Sequence, residues 1–234
     1  MIGAVAIFVK TPGRSALKTR LAATCGQAWA EQWYRLAASA VASVALRVCA
    51  DTGMVGYWAV AEAGAEAQWP ELPSVSQGEG TLGQRMARVH AQLVARHGCG
   101  LLIGADTPQL RPDALVAAAR WIGGEPAAAG ETSKPSARFA LGPAADGGFW
   151  LFGANRPVAV ATWSAVQYSQ PHAARDLRHA MRGLGQWQVS GVLTDVDHAE
   201  DLPVAQLALE ALADPTPAQC ALLRWMQQTA PVLP

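Results

Sequence analysis

Short apolar runs alternate along this chain with longer stretches in which apolar residues return every three or four positions. Residues 2–9, Met54–Val60 and Leu101–Ile103 are runs of the first kind. Runs of that length, bounded by turn residues, read as buried strands. Leu21 to about Ala50, Gln84–Arg96 and Pro112–Ile122 have helical spacing with one apolar face. The first of these is rich in alanine, the best helix former, and Cys25-Gly26 is where it would break. Ala61–Pro73 reads as a short helix plus loop and Ser74–Gln77 as a short third strand. The loop Gly123–Pro135 holds one apolar stretch, Ala127–Ala129, with the character of a short strand. Arg138–Gly142 and Phe149–Gly153 flank a turn. Trp163–Tyr168 reads as loop, Gln170–Leu184 as helix, Gln186–Val196 as a strand, and Pro203–Ala213 and Thr216–Thr229 as closing helices.

Strands that alternate with helices predict an α/β protein of three layers, α/β/α, with a mostly parallel central sheet. No internal repeat or compositional break marks a linker, so residues 1–234 read as one domain. Asp106 follows the run Leu101–Ile103 and would stand at the carboxyl end of a central strand, where open α/β sheets bind ligands. A carboxylate there is either a metal ligand or the cap of the helix that begins near Pro112.

Composition narrows the function classes. Half the residues are apolar, 15% are charged and the formal net charge is zero, which excludes a disordered chain and a global basic field for nucleic acid. Cys25, Cys49, Cys99 and Cys220 form no Cys-x-x-Cys pair, so a zinc site or disulfide framework is not indicated, and reduced thiols point to the cytoplasm. No apolar run approaches the length of a membrane span, and the N-terminus reads as a first strand and not as a signal peptide. The five histidines show no His-x-x-x-His spacing, and the tryptophans read mostly as core packing, with Trp163 the one nearest a motif.

Four stretches could carry chemistry. Lys10, Arg14, Lys18 and Arg20 sit in a turn containing Pro12-Gly13, between a strand and a helix, a geometry that binds phosphate; a solvated basic turn is the alternative. The turn is not a Walker A loop, because it is one residue short and lacks the glycine before lysine. Gln77-Gly-Glu-Gly-Thr-Leu-Gly-Gln-Arg-Met86 has three glycines within six positions, which suits close approach to a flat ligand or a flexible turn. Asp146-Gly147-Gly148 is an ordinary hairpin signal, followed by Phe149-Trp150 as a pocket wall or a strand core. Asp195 and Asp197 would share one strand face, or Asp197 would cap a helix with Glu200 three residues on.

In this order the stretches resemble a known family. Pro12-Gly13 with Leu-Lys-Thr-Arg-Leu21, Gln-Gly-x-Gly-x-Leu-Gly-x-Arg-Met86, Ile-Gly-x-Asp106-x-Pro, Leu-Gly-Pro-Ala-x-Asp-Gly-Gly148 and Asp195-Val-Asp197-x-x-Glu-Asp-Leu202 look like a bacterial family of small glycosyltransferase-A-fold proteins. That family was long carried as a domain of unknown function, and some members are described as arsenosugar-biosynthesis glycosyltransferases. More distantly, the chain is similar to molybdopterin and phospholactate guanylyltransferase-like nucleotidyltransferases. The resemblance implies a nucleotide-diphospho-sugar transferase fold. It implies a nucleoside diphosphate sugar, or a nucleoside triphosphate, held by Mg²⁺ or Mn²⁺, with the sugar or the nucleotidyl group passed to a small-molecule acceptor; a non-catalytic nucleotide-binding protein is the remaining alternative. Carried over by position, Asp106 and Asp197 match the metal-binding acids. Lys10, Arg14, Lys18 and Arg20 match the phosphate-facing loop, and Gln77, Gly78 and Arg85 the nucleotide contacts. Asp146, Gly147 and Gly148 fall where acceptor or sugar would sit, with Asp106 and Asp146 as catalytic candidates and Asp146 as the general base. The chain departs from the family pattern in four places. One extra residue follows Pro12-Gly13, Phe149-Trp150 replaces paired tyrosines, His198-Ala199 replaces Thr-Pro, and Ala165 replaces the threonine of a Trp-Ser-Thr motif. The third departure leaves Asp195 and Asp197 as alternatives for the late acid.

Overall fold

The computed structural model describes residues 3–124 and 136–229; the stretch Ala127–Ala129 lies outside the described residues. The elements in chain order are β1 (Ala4–Val9), α1 (Thr19–Cys25), α2 (Gln27–Thr52), β2 (Val55–Val60), β3 (Ser74–Ser76), α3 (Leu82–His97), β4 (Gly100–Gly104) and α4 (Pro112–Gly123). They continue as β5 (Arg138–Pro143), β6 (Phe149–Ala154), α5 (Val160–Ser164), α6 (Ala173–Ala180), β7 (Gln186–Val189), α7 (Asp201–Glu210) and α8 (Pro217–Gln228). The strands form one sheet in the order β3-β2-β1-β4-β6-β5-β7. Neighbours are parallel except where β6 runs antiparallel to β4 and β5.

Period-two alternation on the central strands builds the three layers. Val5, Ile7 and Val9 of β1 and Leu101 and Ile103 of β4 face one cluster, with Trp33 and Val41 of α2, Leu115 of α4, Leu202 of α7 and Leu222 of α8. Ala4, Ala6 and Leu102 face the other, with Met86 and Leu93 of α3, Trp163 of α5 and Leu177 of α6. Strands covered on both faces carry continuous apolar runs, which is why β1 and β4 stand out in the sequence. Among the described residues no helix is long and apolar enough to cross a membrane.

Most boundaries fall where the pattern predicts, including the break at Gly26, whose φ of 85° stops α1 and starts α2. Three regions differ. Val160–Ser164 is helical, so part of the expected loop is α5, and Trp163 is buried in the core against Phe152 and His90. The helix expected over Gln170–Leu184 is confined to Ala173–Ala180. Only Gln186–Val189 of the expected strand Gln186–Val196 is ladder-paired. Beyond it the chain makes a single bridge, Ala144 with Leu193, and then crosses to β4, where Val196 N–H donates to the Asp106 carbonyl at 3.2 Å. That crossing brings the late acids beside the central strand.

Candidate active site at the carboxyl edge of the sheet

β1 and β4 end, and antiparallel β6 begins, at the same edge of the sheet. A cleft of about 530 Å³ opens there. The loop after β1 is tied down at its start: Glu62 accepts from Thr11 N–H at 2.8 Å and from the Ser15 hydroxyl, and Trp69 Nε1 donates to Thr11 Oγ1 at 3.0 Å. Burial alone would raise the Glu62 pKa, but the hydrogen bonds from Ser15 and Thr11 hold it below the usual glutamate range.

The loop delivers Lys18, the N-cap of α1, in the left-handed region at φ 46° and ψ 38°. For a residue with a Cβ that conformation costs roughly 1–2 kcal/mol. Its ammonium lies 2.7 Å from Asp106 Oδ2 and 2.6 Å from Asp197 Oδ1, and its side chain is only 6% exposed. Burial pulls the Lys18 pKa down, but the two carboxylates outweigh it and hold it above the ordinary lysine value. Exposed Arg20 stands 3.9 Å from the other Asp197 oxygen.

The contacts of these acids exclude the capping alternative. Asp106 is not a helix cap, since the N-cap of α4 is Arg111. The Asp106 loop is held by α8, where Gln219 Nε2 donates to the carbonyls of Pro108 and Leu110 at 2.8 and 2.9 Å. Gln109 Nε2 joins it to the late segment through the Thr194 carbonyl at 2.6 Å. Asp197 is not a cap either. Asp201, in the first turn of α7, accepts from the backbone N–H of Asp197 and His198 at 2.9 and 2.7 Å, and this frees the Asp197 carboxylate for Lys18.

Asp195 differs from its neighbours. It is half-buried, and its Oδ1 has no hydrogen-bond partner among the described residues. Burial first, then the charges of Asp106, Asp146 and Asp197, push its carboxyl up to about 7. Asp146, Asp195 and Asp197 offer carboxylate oxygens within 4.8 Å of one another. Asp146 is exposed and accepts from Gly148 N–H at 2.7 Å. Gly147 between them has φ 87°, and a Cβ there would lie 1.9 Å from the Pro171 carbonyl oxygen. The Asp-Gly-Gly turn is thus packed against the segment that leads into α6, and Ala174 N–H donates to the Gly147 carbonyl at 3.0 Å.

Of the residues singled out in the sequence, Lys10, Lys18, Arg20, Gln77, Asp106, Asp146, Gly148 and Asp197 line the cleft together with Asp195. Arg14, Gly78, Arg85 and Gly147 are not among its lining. Arg85 Nε instead donates to the Gly80 carbonyl at 2.9 Å. Gln77 is buried, and its amide nitrogen serves the carbonyls of Val9 and Ala59 at 3.2 and 2.8 Å, tying the ends of β1 and β2. Packing accounts for Gly83, where a Cβ would lie 2.8 Å from the Trp163 carbonyl oxygen of α5. Trp150 is both wall and core: it lines the cleft, is buried, and its indole N–H donates to the Gly191 carbonyl at 3.1 Å. Sequence reasoning missed Glu62, Asp201, Tyr34, Tyr168 and Ser169. Asp201 stands in the motif that ends at Leu202 but was given no role there, and the other four belong to no motif.

Residues 35–170 match the model of a family described as "Uncharacterized protein conserved in bacteria (DUF2064)". Among solved structures, a proposed nucleotide-diphospho-sugar transferase from Desulfovibrio desulfuricans is similar at a TM-score of 0.78 and 20% identity, over 97% of this chain and 95% of that one. A CMP:2-keto-3-deoxy-manno-octonic acid synthetase complexed with CTP is similar at a TM-score of 0.55 and 14% identity, over 91% and 100% of the two chains. A 4-diphosphocytidyl-2C-methyl-D-erythritol synthase from Anaerococcus prevotii follows at 0.51 and 9%, over 89% and 99%. No curated protein gives a match. The fold is that of the nucleotide-diphospho-sugar transferases.

Proposed function

The chain belongs to the DUF2064 family of bacterial proteins, and from that premise we propose that it is a divalent-metal-dependent glycosyltransferase whose sugar donor is a nucleoside diphosphate sugar. The observation that carries this reading is the Asp195 carboxylate, half-buried among Asp106, Asp146 and Asp197 with an oxygen that meets no donor among the described residues. A native protein rarely keeps such a group without a ligand for it. An all-oxygen donor set is the kind that takes Mg²⁺ or Mn²⁺, and such ions need only one or two protein carboxylates.

Asp195 and Asp197 would hold the ion, with Asp106 beside them as the acid that shares Lys18 with Asp197. The ion would supply positive charge against the diphosphate that leaves. Lys10, Lys18 and Arg20 face the same cleft and add to that charge, and Arg14 stands on the same loop. Gln77 borders the nucleotide end of the cleft, and Gly78 and Arg85 stand beside it on the same segment, outside the lining. Asp146 and Gly148 border the acceptor, Gly147 holds their turn against Pro171, and Asp146 takes the proton of the acceptor hydroxyl. In the reaction the bond from sugar carbon to diphosphate oxygen breaks and the bond to the acceptor oxygen forms. Nucleoside diphosphate is released.

Nucleotidyl transfer is the second reading, because the fold is shared with a synthetase seen with CTP. One assay separates the two: incubation with Mg²⁺ or Mn²⁺ and either nucleotide sugars or nucleoside triphosphates. Nucleoside diphosphate formed from a nucleotide sugar supports glycosyl transfer, and pyrophosphate formed from a triphosphate overturns it.

A further inference from the structure

We propose that Lys18 is a resident counter-ion of the acidic cluster that competes with a divalent ion for Asp197, so that ion and diphosphate, which draws Lys18 off, bind with positive coupling. The inference rests on the metal-dependent reading above and goes beyond it by giving Lys18 a role toward the ion as well as toward phosphate.

The contacts of the two acids carry it. Lys18 spends two of its three N–H donors on Asp106 Oδ2 and Asp197 Oδ1, at 2.7 and 2.6 Å. The remaining Asp197 oxygen faces Arg20 at 3.9 Å. Asp197 is therefore engaged through both oxygens, whereas Asp195, two residues away, leaves one oxygen without a donor among the described residues. An ammonium 2.6 Å from a carboxylate oxygen repels a divalent ion on that carboxylate, and the repulsion is poorly screened where the lysine is 6% exposed. The backbone has little freedom to relieve it. Lys18 is the left-handed N-cap of α1, and the loop before it is tied to Glu62 through Thr11 and Ser15. The four-carbon stem of the lysine is what can move, and the cleft it borders also holds Lys10 and Arg20, where a diphosphate offers the ammonium a new partner. An anion that takes Lys18 frees Asp197. By linkage, an ion bound at Asp197 makes Lys18 more available to the anion by the same factor.

The test uses the intact protein and Mn²⁺ as its first probe. Free Mn²⁺ is measured by electron paramagnetic resonance during titration of wild type and of Lys18→Met, with Lys18→Gln as a second variant should methionine fail to fold. Without phosphate, the variant is expected to bind Mn²⁺ roughly tenfold more tightly, within the usual range of coupling between sites. In parallel, acetylation of Lys18 in wild type is followed by mass spectrometry, which needs no variant. Acetylation should be slow in buffer, several-fold faster with saturating Mg²⁺, and slow again when inorganic pyrophosphate is added. Equal Mn²⁺ affinity in wild type and variant, or Lys18 acetylation unmoved by Mg²⁺, overturns the inference and leaves the metal site standing. Absence of Mn²⁺ binding in every protein overturns the metal-dependent reading, and the inference with it.

Discussion

On the β1 side of the cleft the Lys18 side chain is buried with two carboxylates in hydrogen-bond contact, whereas on the β6 side Asp195 is half-buried with an oxygen that meets no donor among the described residues. Both charges have been taken largely out of water, and the outcome is opposite. Lys18 gains more from Asp106 and Asp197 than burial takes away, so its charge is reinforced. The charges that act most strongly on Asp195 are those of Asp106, Asp146 and Asp197, and burial and repulsion push it in the same direction. Burial alone therefore does not mark a functional group; the sign of its neighbours does. The half of a site in which a charge is left uncompensated is the half that ligand chemistry has to complete.

This contrast is open to attack by substitution, and the largest effect is expected at Gly147. A Cβ there meets the Pro171 carbonyl at 1.9 Å with φ already at 87°. Gly147→Ala should lower stability by about 3 kcal/mol in urea denaturation, because main chain must move against main chain. A loss below about 1 kcal/mol would mean that the β6 side is soft and that its acids are not held in register. Next is Lys18→Met, which leaves Asp106 and Asp197 without their shared cation. Both acids are partly exposed, so water recovers some of the loss, and about 2 kcal/mol is expected at neutral pH. Added Mg²⁺ should raise the melting temperature of this variant more than that of wild type.

The pH dependence sharpens the comparison further. Asp195 has its carboxyl raised from 3.8 to about 7, so between those values the native state binds more protons than the unfolded chain. Stability then falls as pH rises through that window. His90 is buried in the core, and burial lowers its pKa from 6.5 to about 4, so there the unfolded chain binds more protons and stability rises with pH. The two slopes oppose each other in wild type. Asp195→Asn should expose the rising slope and His90→Gln the falling one, and denaturation at a series of pH values separates them. If Asp195→Asn leaves the profile unchanged, Asp195 is compensated by a group not recognised above. The smallest effect is expected from Glu62→Gln, about 1 kcal/mol or less for weaker hydrogen bonds to Thr11 and Ser15. Its sharper signature is a few-fold loss of diphosphate affinity relative to nucleoside, measured by calorimetry.

The ordered motifs pointed to a bacterial family of unknown function with a nucleotide-diphospho-sugar transferase fold, and the family match and the solved structures bear that out. The elements were legible because their signal is local. Val5, Ile7 and Val9 face one layer and Ala4 and Ala6 the other, so a period of two is written into β1 itself. The segment Gln186–Val196 misled for the same reason: it alternates like a strand, but beyond Val189 its backbone partners are Leu141, Pro143, Ala145 and Asp106, which no local pattern records. The glycines of Gln77–Met86 drew attention as a ligand loop, whereas Gly83 answers to the Trp163 carbonyl of α5.

By itself the sequence determined the layers, the order of helices and strands, the break at Gly26 and the residue types available at the sheet edge. Hydrophobic periodicity and turn chemistry act over a few neighbouring residues, and so they can be read from the chain. Tertiary structure alone decided which charges meet. Lys18 lies 88 positions from Asp106 and 179 from Asp197, and Glu62 reaches Thr11 across 51. Coulomb attraction and burial depend on distance through space, and that distance exists only once β1, β4 and the crossing after β7 have been folded to one edge.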